Sequence, residues 1–379
     1  MDQKLAVLFM PDDMTLTKEQ TPLMLRPILF CPILTWMVEE LMGRGIERFF
    51  IVSDKRAHDM MRPYVPENAD VVYVDGARHG EELLTLLKDE KGSVLIVNGA
   101  VLPVGVFSGG AVYSADAKEC CKVLKEHGAF AAFPKGAEIT KGFLPVGDDE
   151  ELRSAQDMCR RKIADKHFAA GVSIMDPNNT YIDPRVTIGS GTVILPGTIL
   201  RGRTVIGKNC TIGPNAIIRD CTVGDETEVN ASQLNESTVG AHTTVGPFAY
   251  VRPNSKIGDH VKVGDFVEIK NSVIGNGTKI SHLTYVGDSD CGERINFGCG
   301  TVTTNYDGFK KFRCTIGDDA FIGCNTNLIA PVTVGNGSYI AAGSTITDEV
   351  PADSLAIARE RQVNKPGWAE QWRAAHEKK

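Results

Sequence analysis

From residue 182 onward, an aliphatic side chain returns at every sixth position of the chain, with slips of one residue at a few places. The positions are Ile182, Ile188, Ile194, Leu200, Ile206, Ile212, Ile218, Val223, Val229, Val239, Val245, Val251, Ile257, Val263, Ile269, Ile274, Ile280, Val286, Ile316, Ile322, Leu328, Val334, Ile340 and Ile346. A period of six matches neither a helix nor simple strand alternation. It is typical of a parallel β-helix, in which short strands wrap a triangular prism and their aliphatic side chains stack along its axis.

The same period predicts which residues lie close together. Three hexads make one coil of about 18 residues, so residues 18 apart are expected to lie above one another. Glycine follows the aliphatic residue in pairs such as Ile188-Gly189 and Ile206-Gly207. A glycine there suits a corner that needs either a positive φ or a close approach of two backbones.

The repeat is interrupted once, between Phe297 and Ile316, and the residues at 304–313 read TNYDGFKKFR. One interpretation is a tolerated surface excursion, and the other is a binding loop that leaves one face of the solenoid. The segment carries three cations, an asparagine and aromatic side chains. This content suits contacts with phosphate and with a base, and it favours a binding loop.

The first 147 residues follow a different pattern. Short β-branched runs at 5–9, 49–52, 71–74 and 94–97 alternate with helical patterns at 32–42, 81–88 and 117–127. This alternation predicts an α/β domain with a Rossmann-like parallel sheet. We expect a helical linker at 148–170, the β-helix at 171–350, and a tail at 351–379. Residues 351–361 and a short helix at 367–375 form a segment that can cap the open end of the solenoid.

Composition narrows the function classes. The 379 residues are enough for two domains, and a formal net charge of −7 argues against a nucleic-acid-binding protein. The N-terminus lacks a signal-peptide pattern, and no apolar run approaches the ~20 residues that span a bilayer, so we expect no membrane insertion. The ten cysteines form no CxxC pair. They are typical of reduced thiols in a cytoplasmic protein, and no finger-like metal cluster is predicted.

One histidine lies inside the repeat among candidate binding residues. Arg252 and Lys270 are 18 apart and should stack on successive coils, and His282, 12 residues beyond Lys270, should lie on a neighbouring face. A lone histidine or lysine is more often a solvated surface residue. The register changes that expectation, because Asn296, Asn305, Tyr306 and Lys311 follow within two coils and gather at the same edge.

Such a set permits acyl transfer to an amine. A neutral imidazole can accept a proton near neutral pH, and Arg252 and Lys270 can bind a phosphate. Glu268 shares a strand face with Lys270, and it could orient His282 or touch the substrate amine. Because no Cys or Ser nucleophile pairs with His282, direct attack is favoured over a covalent acyl-enzyme.

From about Arg153 onward the chain resembles the bifunctional GlmU enzymes, which combine glucosamine-1-phosphate N-acetyltransferase and N-acetylglucosamine-1-phosphate uridyltransferase activities. The matching strings are NTYID at 179–183, GPFAYVRP at 246–253, GDFVEIK at 264–270, HLTYVGD at 282–288 and NYDG at 305–308. The resemblance implies a left-handed β-helix, a homotrimer with sites between subunits, and a role in UDP-N-acetylglucosamine and peptidoglycan precursor synthesis.

The resemblance also implies roles for individual residues. His282 matches the catalytic base, and the amino-sugar phosphate would be held by Arg252, Lys270, Tyr285 and Asn296. Contacts with acetyl-CoA, the co-substrate, are implied for Asn305, Tyr306, Ala342 and Arg359, and Lys311 lies in the closing loop. Two further acetyl-CoA positions carry Cys299 and Cys324, where other small residues are usual. Acetyl transfer would need no metal.

The N-terminal half departs from the GlmU pattern. Residues 10–16 contain no glycine and two carboxylates, whereas a phosphate-binding loop needs close backbone approach and would be repelled by carboxylates. The metal-binding aspartate of the family aligns with Ala100, and a second metal contact falls near Gly147-Asp148. We therefore expect a shortened, nucleotidyltransferase-like domain that binds Mg²⁺ poorly and has lost uridyltransferase activity.

Three alternatives remain open at this stage. The same site could acetylate another phosphorylated amino sugar or a nucleotide sugar. The fold could hold zinc in a hydratase, since His242 and His260 are 18 apart, although neither lies in the matched site. The chain could also be a non-catalytic assembly or regulatory subunit, which predicts no release of CoA with any amino-sugar phosphate.

Overall fold

The computed structural model describes residues 4–10, 21–105, 110–130 and 132–377. By the density of its internal contacts the chain divides into two compact units, Met1–Asp220 and Cys221–Lys379. The first unit holds the α/β sheet and the first hexapeptide strands, and the second holds the remaining hexapeptide strands and the tail. The domain boundaries expected at 147, 170 and 350 stay predictions. No helix within the described ranges is long and apolar enough to cross a membrane.

The first unit contains a six-stranded sheet. Its strands lie in the order Asp70–Asp75, Arg48–Ser53, Leu5–Phe9, Ser93–Asn98, Val112–Asp116 and Glu138–Ile139. The first four are parallel, as predicted. Val112–Asp116 pairs antiparallel with Ser93–Asn98, and Glu138–Ile139 pairs antiparallel with Val112–Asp116. The connection between Ser93–Asn98 and Val112–Asp116 contains no helix in its described part, and a parallel pairing would need a long crossover. The sheet is therefore mixed rather than wholly parallel.

Helices surround this sheet and lead into the repeat. The α-helices are Ile33–Gly43, Lys55–Met61, His79–Leu87, Ala117–His127 and Asp149–Ala169, and the 3₁₀ turns are Leu23–Leu25, Arg62–Tyr64, Gly76–Arg78 and Pro177–Asn179. Two small ladders pair Pro27–Ile28 with Cys31–Pro32 and Ala100–Leu102 with Leu144–Val146. Aspartate side chains cap the first turns of three of the α-helices, and they are Asp54, Asp116 and Asp148. Each cap accepts hydrogen bonds from backbone N–H groups that the helix itself cannot satisfy.

The first unit also contains eight short hexapeptide strands, which belong to three sheets. They are Ser173–Ile174, Val193–Ile194 and Thr211–Ile212 in one sheet, Tyr181–Ile182, Ile199–Arg201 and Ile217–Arg219 in the second, and Thr187–Ile188 and Val205–Ile206 in the third. Pairing is parallel, and residues 18 apart are partners, as between Ile182 and Leu200.

In the second unit the three sheets form faces that we call A, B and C. Face A comprises Glu228–Val229, Thr244–Val245, Lys262–Asp265, Lys279–His282, Asn296–Phe297, Phe321–Ile322, Tyr339–Ile340 and Leu355–Ala356. Face B comprises Gln233–Asn235, Tyr250–Val251, Glu268–Lys270, Tyr285–Gly287, Val302–Thr304, Asn327–Ile329 and Thr345–Ile346. Face C comprises Thr222–Val223, Thr238–Val239, Lys256–Ile257, Val273–Ile274, Ser289–Cys291, Cys314–Ile316 and Val332–Val334.

A single apolar stack fills this unit, and all the predicted hexad positions in it are buried. The stack does not stop where the sequence pattern is interrupted. It continues through Cys291, Phe297 and Thr303, of which Thr303 is 0% exposed. The Thr303 hydroxyl donates to the Gly287 carbonyl oxygen at 3.1 Å, so its polar atom is satisfied inside the core. The inserted loop thus leaves the solenoid without breaking its interior.

The hexad glycines meet the second of the two expected needs, close approach. A Cβ placed on Gly240 would lie 2.5 Å from the backbone carbon of Gly258 on the next coil, and neither glycine has a positive φ. Positive φ values occur at two hexad glycines, Gly213 and Gly246, and at other corner residues, among them Asn254, Asn271 and Asn325. Asparagine tolerates that conformation better than most residues.

The tail continues the solenoid for one strand and then leaves it. Leu355–Ala356 pairs in parallel with Tyr339–Ile340 and covers the edge of the last coil. The helix predicted at 367–375 is present as Trp368–His376, but none of its residues is buried. Capping therefore rests on Leu355–Ala356 within the described part of the tail.

Candidate functional site

Two adjacent strands of face A end on a histidine and an aspartate. Asp265 ends Lys262–Asp265, His282 ends Lys279–His282, and the two residues are register partners. Nδ1 of His282 lies 2.5 Å from Oδ1 of Asp265, and the imidazole side chain is 55% exposed. Because a carboxylate only accepts, Nδ1 donates, and the lone pair of the imidazole is left at Nε2 on the far side of the ring. The bond with His282 lowers the pKa of the Asp265 carboxyl below its usual range.

Gly264 allows this pairing. A Cβ on Gly264 would collide with the carbonyl oxygen of Ser281 on the next coil. The two backbones therefore approach closely beside Asp265 and His282, which brings the side chains within hydrogen-bonding reach.

Glu268 has a different partner from the one expected. Its Oε1 accepts a hydrogen bond from Nη1 of Arg252 at 2.8 Å, and both side chains are 39% exposed. The carboxylate that contacts His282 is that of Asp265. Glu268 starts a face B strand, whereas His282 ends a face A strand, so a carboxylate on face A reaches the imidazole. The bond with Glu268 raises the pKa of Arg252.

Lys270 is held by an aspartate that the sequence pattern did not single out. Its Nζ donates to Oδ2 of Asp288 at 3.2 Å, and the Asp288 side chain is 5% exposed. Asn271 donates to the other carboxylate oxygen at 2.5 Å, and Asn305 donates to Oδ2 as well. Burial opposes ionisation, but these three donors outweigh it, so the pKa of Asp288 is lowered.

Lys311 lies beside Lys270 with no carboxylate of its own among the described contacts. The hydrogen bond with Lys270 and the positive charge of that ammonium lower the pKa of Lys311. Arg252 also contributes to this repulsion. Three cations therefore face one region while Glu268 and Asp288 provide two carboxylates, and a bound anion would relieve the repulsion.

The inserted loop is fixed at both ends and exposed at its tip. Phe312 N donates to the Asn305 carbonyl oxygen at 2.9 Å. The backbones of Tyr306 and Lys311 form an isolated antiparallel β-bridge. Arg313 binds Asp290 with two nitrogens, at 2.8 and 2.5 Å. The Phe309 side chain at the tip is 92% exposed. This arrangement places Asn305 at the buried Asp288 and leaves the exposed tip around Phe309 available to a ligand.

Tyr285 and Asn296 lie on strands that neighbour those of Glu268 and His282. Tyr285 is the register partner of Glu268 on face B, and its phenol ring lies over Gly287, where a Cβ would collide with it. Asn296 on face A pairs with Lys279 of the histidine-bearing strand. Both side chains are half-buried. The residues expected to bind the amino-sugar phosphate thus lie on adjoining strands of faces A and B.

Most residues expected to contact acetyl-CoA gather at one corner between faces A and B. Asn325 N donates to the Cys299 carbonyl oxygen and Gly343 N to the Cys324 carbonyl oxygen, both at 2.8 Å, so Cys299, Cys324 and Ala342 follow one another on successive coils. Gly300 N donates to the Leu283 carbonyl oxygen at 3.1 Å, which places His282 on the preceding coil of this corner. Cδ of Arg359 lies 3.6 Å from a Cβ built on Gly343.

The N-terminal region expected to have lost its metal ligands is packed as ordinary structure. Ala100 is 6% exposed and pairs with Val146 in a two-stranded ladder. Gly147 N donates to Glu151, and Asp148 caps the following helix. Residues 11–16 of the predicted degenerate loop lie outside the described residues. Across residues 4–10, 21–105, 110–130 and 132–377, no group of three His, Cys, Asp or Glu side chains could hold a metal ion.

Comparison with known families identifies the repeat. The bacterial transferase hexapeptide family (six repeats) matches residues 236–271 and 313–348, and the hexapeptide repeat of succinyl-transferase matches residues 203–231. The chain carries bacterial transferase hexapeptide repeats. These matches support the left-handed β-helix that the six-residue period and the resemblance predicted.

The most informative relatives are GlmU proteins. The chain is 50% identical over 228 residues to the bifunctional protein GlmU of Caldanaerobacter subterraneus subsp. tengcongensis, covering 60% of this chain and 50% of that protein. It is 54% identical over 225 residues to bifunctional protein GlmU of Clostridium botulinum, covering 59% and 49%. The chain thus spans about half the length of the relatives it matches, and the resemblance to GlmU predicted from the motifs is confirmed.

Among solved structures, the UDP-N-acetylglucosamine acyltransferase from Campylobacter jejuni matches with 15% identity, a TM-score of 0.34, and coverage of 50% of this chain and 72% of that chain.

Proposed function

We propose that the hexapeptide unit is an acetyl-CoA-dependent N-acetyltransferase that converts glucosamine 1-phosphate to N-acetylglucosamine 1-phosphate. The observation that carries this proposal is the exposed His282–Asp265 pair at the corner shared with Cys299 and Cys324, with the cations Arg252 and Lys270 at the ends of the adjoining face B strands. The similarity to GlmU proteins over this half of the chain supports the choice of donor and acceptor.

His282 acts as the general base in this proposal. The substrate amine attacks the thioester carbonyl carbon, the C–S bond breaks, and the CoA thiolate leaves. Nε2 accepts the proton that the amine loses, while Asp265 holds Nδ1–H and stabilises the imidazolium that forms. No step requires a covalent acyl-enzyme.

The phosphate is held by Arg252 and Lys270, with Lys311 closing over it from the loop. A phosphate dianion would compete with Glu268 for the guanidinium of Arg252, because both are oxygen anions that suit its planar fork. Glu268, once displaced, could accept a hydrogen bond from the amino sugar. This exchange gives Glu268 the second of its two expected roles, contact with the substrate amine rather than with His282.

We also propose a homotrimer with the site completed between subunits. Support comes from exposed apolar side chains at the histidine-bearing corner. Phe248 and Phe266 stack at 5.5 Å, and Leu283 follows on the next coil. These three side chains are 60%, 57% and 58% exposed, and a second copy of the chain would bury them.

For the first unit we propose that uridyltransferase activity has been lost. The buried methyl group of Ala100 supports this, because it cannot replace a carboxylate ligand of Mg²⁺. Glu151 and Asp148 support it as well, since their oxygens already bind backbone N–H groups.

The test uses the full chain and two assays in parallel. CoA thiol release is measured with acetyl-CoA and glucosamine 1-phosphate, and consumption of UTP is measured with N-acetylglucosamine 1-phosphate and Mg²⁺. We expect thiol release and no UTP turnover. Absence of thiol release with this acceptor would reject the proposed substrate, and release with another amino-sugar phosphate would select that alternative. Uridylyl transfer would reject the loss assigned to the first unit.

A further inference from the structure

Cys299 and Cys324 occupy equivalent positions on adjacent coils. They follow the register partners Phe297 and Ile322 by two residues each. Asn325 N donates to the Cys299 carbonyl oxygen at 2.8 Å, and a Cβ on Gly298 would lie 2.5 Å from the Cys324 backbone nitrogen. The two backbones are therefore in contact at this corner.

In each turn the residue after the cysteine has a positive φ. These residues are Gly300, after Cys299, and Asn325, after Cys324, with φ values of 76° and 53°. The two cysteines therefore occupy the same corner on adjacent coils. Neighbouring coils are spaced about 4.8 Å apart, and a disulfide needs Cα atoms roughly 4.4–6.8 Å apart.

Accessibility separates this pair from the other thiols. All ten cysteines are in described parts of the chain, and none of them forms a disulfide. Cys324 is exposed and Cys299 is half-buried, while seven others are buried, and Cys121, also half-buried, lies in the first unit. Burial raises the pKa of Cys31, Cys120 and Cys159 to about 12, which keeps those thiols protonated and unreactive.

We propose that Cys299 and Cys324 form a reversible cross-coil disulfide that closes the acetyl-CoA corner, and that a disulfide of coenzyme A is the oxidant. The inference rests on the proposed function, because it makes the same corner the place where acetyl-CoA binds. A corner that admits the thiol end of coenzyme A can also admit its disulfide.

The reaction is two successive thiol–disulfide exchanges. The Cys324 thiolate attacks one sulfur of the coenzyme A disulfide, the S–S bond breaks, and one CoA thiolate leaves. The Cys299 thiolate then attacks the Cys324 sulfur of the mixed disulfide, and the second CoA thiolate leaves. Two electrons pass from the cysteine pair to the disulfide, and the two thiol protons end on the released CoA or in solvent. A thiol reductant reverses both steps.

The bridge would obstruct acetyl-CoA because it ties two coils together on the surface that the co-substrate must contact. Ala342 on the following coil continues that surface without a thiol. The disulfide removes the S–H groups of Cys299 and Cys324 and fixes both side chains in one rotamer, so they can no longer adjust to acetyl-CoA.

The experiment incubates the reduced full chain with coenzyme A disulfide and measures two independent quantities. Peptide mapping without reduction follows the disulfide, and acetyl transfer to glucosamine 1-phosphate is compared with each protein's own reduced form. We expect a linked peptide pair containing Cys299 and Cys324, and a loss of roughly tenfold or more in kcat/KM for acetyl-CoA that a thiol reductant restores, within the usual range of coupling between two ligands.

Three variants sharpen the result. Cys299→Ala and Cys324→Ala should form no internal bridge and lose less activity on oxidation, each relative to itself. Cys121→Ala, which removes the half-buried thiol of the first unit, should respond like the parent chain. If the disulfide forms without any change in kcat/KM, the proposal that it closes the acetyl-CoA corner is wrong. If mixed disulfides form without a link between Cys299 and Cys324, the proposed cross-coil disulfide is wrong. If the reduced protein transfers no acetyl group, the proposed function is rejected. Peptide mapping still shows whether the disulfide between Cys299 and Cys324 forms.

Discussion

The carboxylates of the two units have different hydrogen-bond partners. In the α/β region Asp54, Asp116 and Asp148 accept hydrogen bonds from backbone N–H groups and begin helices. In the hexapeptide unit Asp265, Glu268 and Asp288 hold the side chains of His282, Arg252 and Lys270.

This difference distinguishes structural acids from acids that prepare a site. A capping carboxylate is saturated by its own chain and stabilises one helix end. A carboxylate beside an exposed base or cation leaves the far side of that base or cation available to a ligand. The predictions below ask whether function follows this division, beginning with the largest effect.

The first prediction removes the base. His282→Ala should lower kcat for acetyl transfer by roughly 10²–10⁴-fold, because it removes the imidazole that accepts the amine proton. The KM for glucosamine 1-phosphate should change little, since the phosphate contacts remain. Steady-state kinetics on the purified full chain measures both constants.

The matched control is His260→Ala. His260 stacks on His242 at 4.8 Å in the same unit and lies outside the site. Its removal should leave both constants unchanged. Near-normal turnover in His282→Ala would show that the exposed imidazole is not the base.

The second prediction concerns the buried carboxylate under Lys270. Asp288→Asn should lower the free energy of unfolding by roughly 3 kcal/mol at pH 7, because it leaves the Lys270 ammonium without its anion in a poorly solvated place. Urea denaturation followed by circular dichroism measures the loss. Thr303, equally buried but uncharged, offers the comparison Thr303→Val, whose deficit should not vary with pH.

The pH dependence of that loss has a definite sign. The pKa of Asp288 is lowered in the folded chain. Its contribution is therefore full above the ordinary carboxyl value near ~3.9 and is lost as pH falls through the lower folded value. The deficit of Asp288→Asn should stay constant from neutral pH down to about 5 and shrink below about 4. A deficit that grew on acidification would contradict the ion-pair account.

The third prediction tests the phosphate contacts. Arg252→Ala should reduce kcat/KM for glucosamine 1-phosphate by roughly 10–100-fold, in line with the loss of a hydrogen bond to a charged group. Most of the change should appear in KM. Arg294→Ala is the control, because Arg294 pairs with Asp319 at the surface and touches no site residue in the described contacts. Equal losses in the two variants would place phosphate recognition elsewhere.

Much of this site is predictable from the sequence, because the constant length of the coil predicts which residues are neighbours on successive coils. A coil of 18 residues places Arg252 against Lys270, and the backbone of Arg252 does bond to Ile269. It also places His282 on the neighbouring face, as found. The aliphatic stack, the helix at 149–169 and the four parallel strands were predictable for the same reason: hydrophobic period reflects burial directly.

The period did not supply two of the three carboxylate partners. Asp265 precedes His282 by 17 residues, one short of the regular coil, so a count of 18 passes over it. Asp288, by contrast, follows Lys270 by 18 residues, so the regular coil does place this carboxylate against that lysine. The strand position of Glu268 suggested that it could orient His282. In the structure its side chain instead accepts a hydrogen bond from Arg252 on the preceding coil.

The fourth prediction isolates Asp265 as a positioning residue. Asp265→Asn should lower kcat about tenfold, since a neutral amide no longer fixes the imidazole or stabilises its charged form. The KM for glucosamine 1-phosphate should stay unchanged, since the phosphate contacts remain. A purely structural role would lower the folded fraction along with kcat, and circular dichroism measures that fraction. Asp319→Asn, which releases Arg294 instead, should leave kcat unchanged.

The smallest effect is expected from a capping acid. Asp116 accepts a hydrogen bond from Lys118 N and begins Ala117–His127, whose buried residues pack into the core of the first unit. Asp116→Ala should therefore cost about 1 kcal/mol in the free energy of unfolding, while Asp116→Ser should recover most of it, because a serine hydroxyl also caps. Acetyl transfer should be the same in both variants and in the parent chain, since this carboxylate holds no ligand-facing side chain. If Asp116→Ala lowered kcat as Asp265→Asn does, at matched folded fraction, carboxylates of the first unit would be coupled to the chemistry, and the division between capping and site-preparing acids would fail.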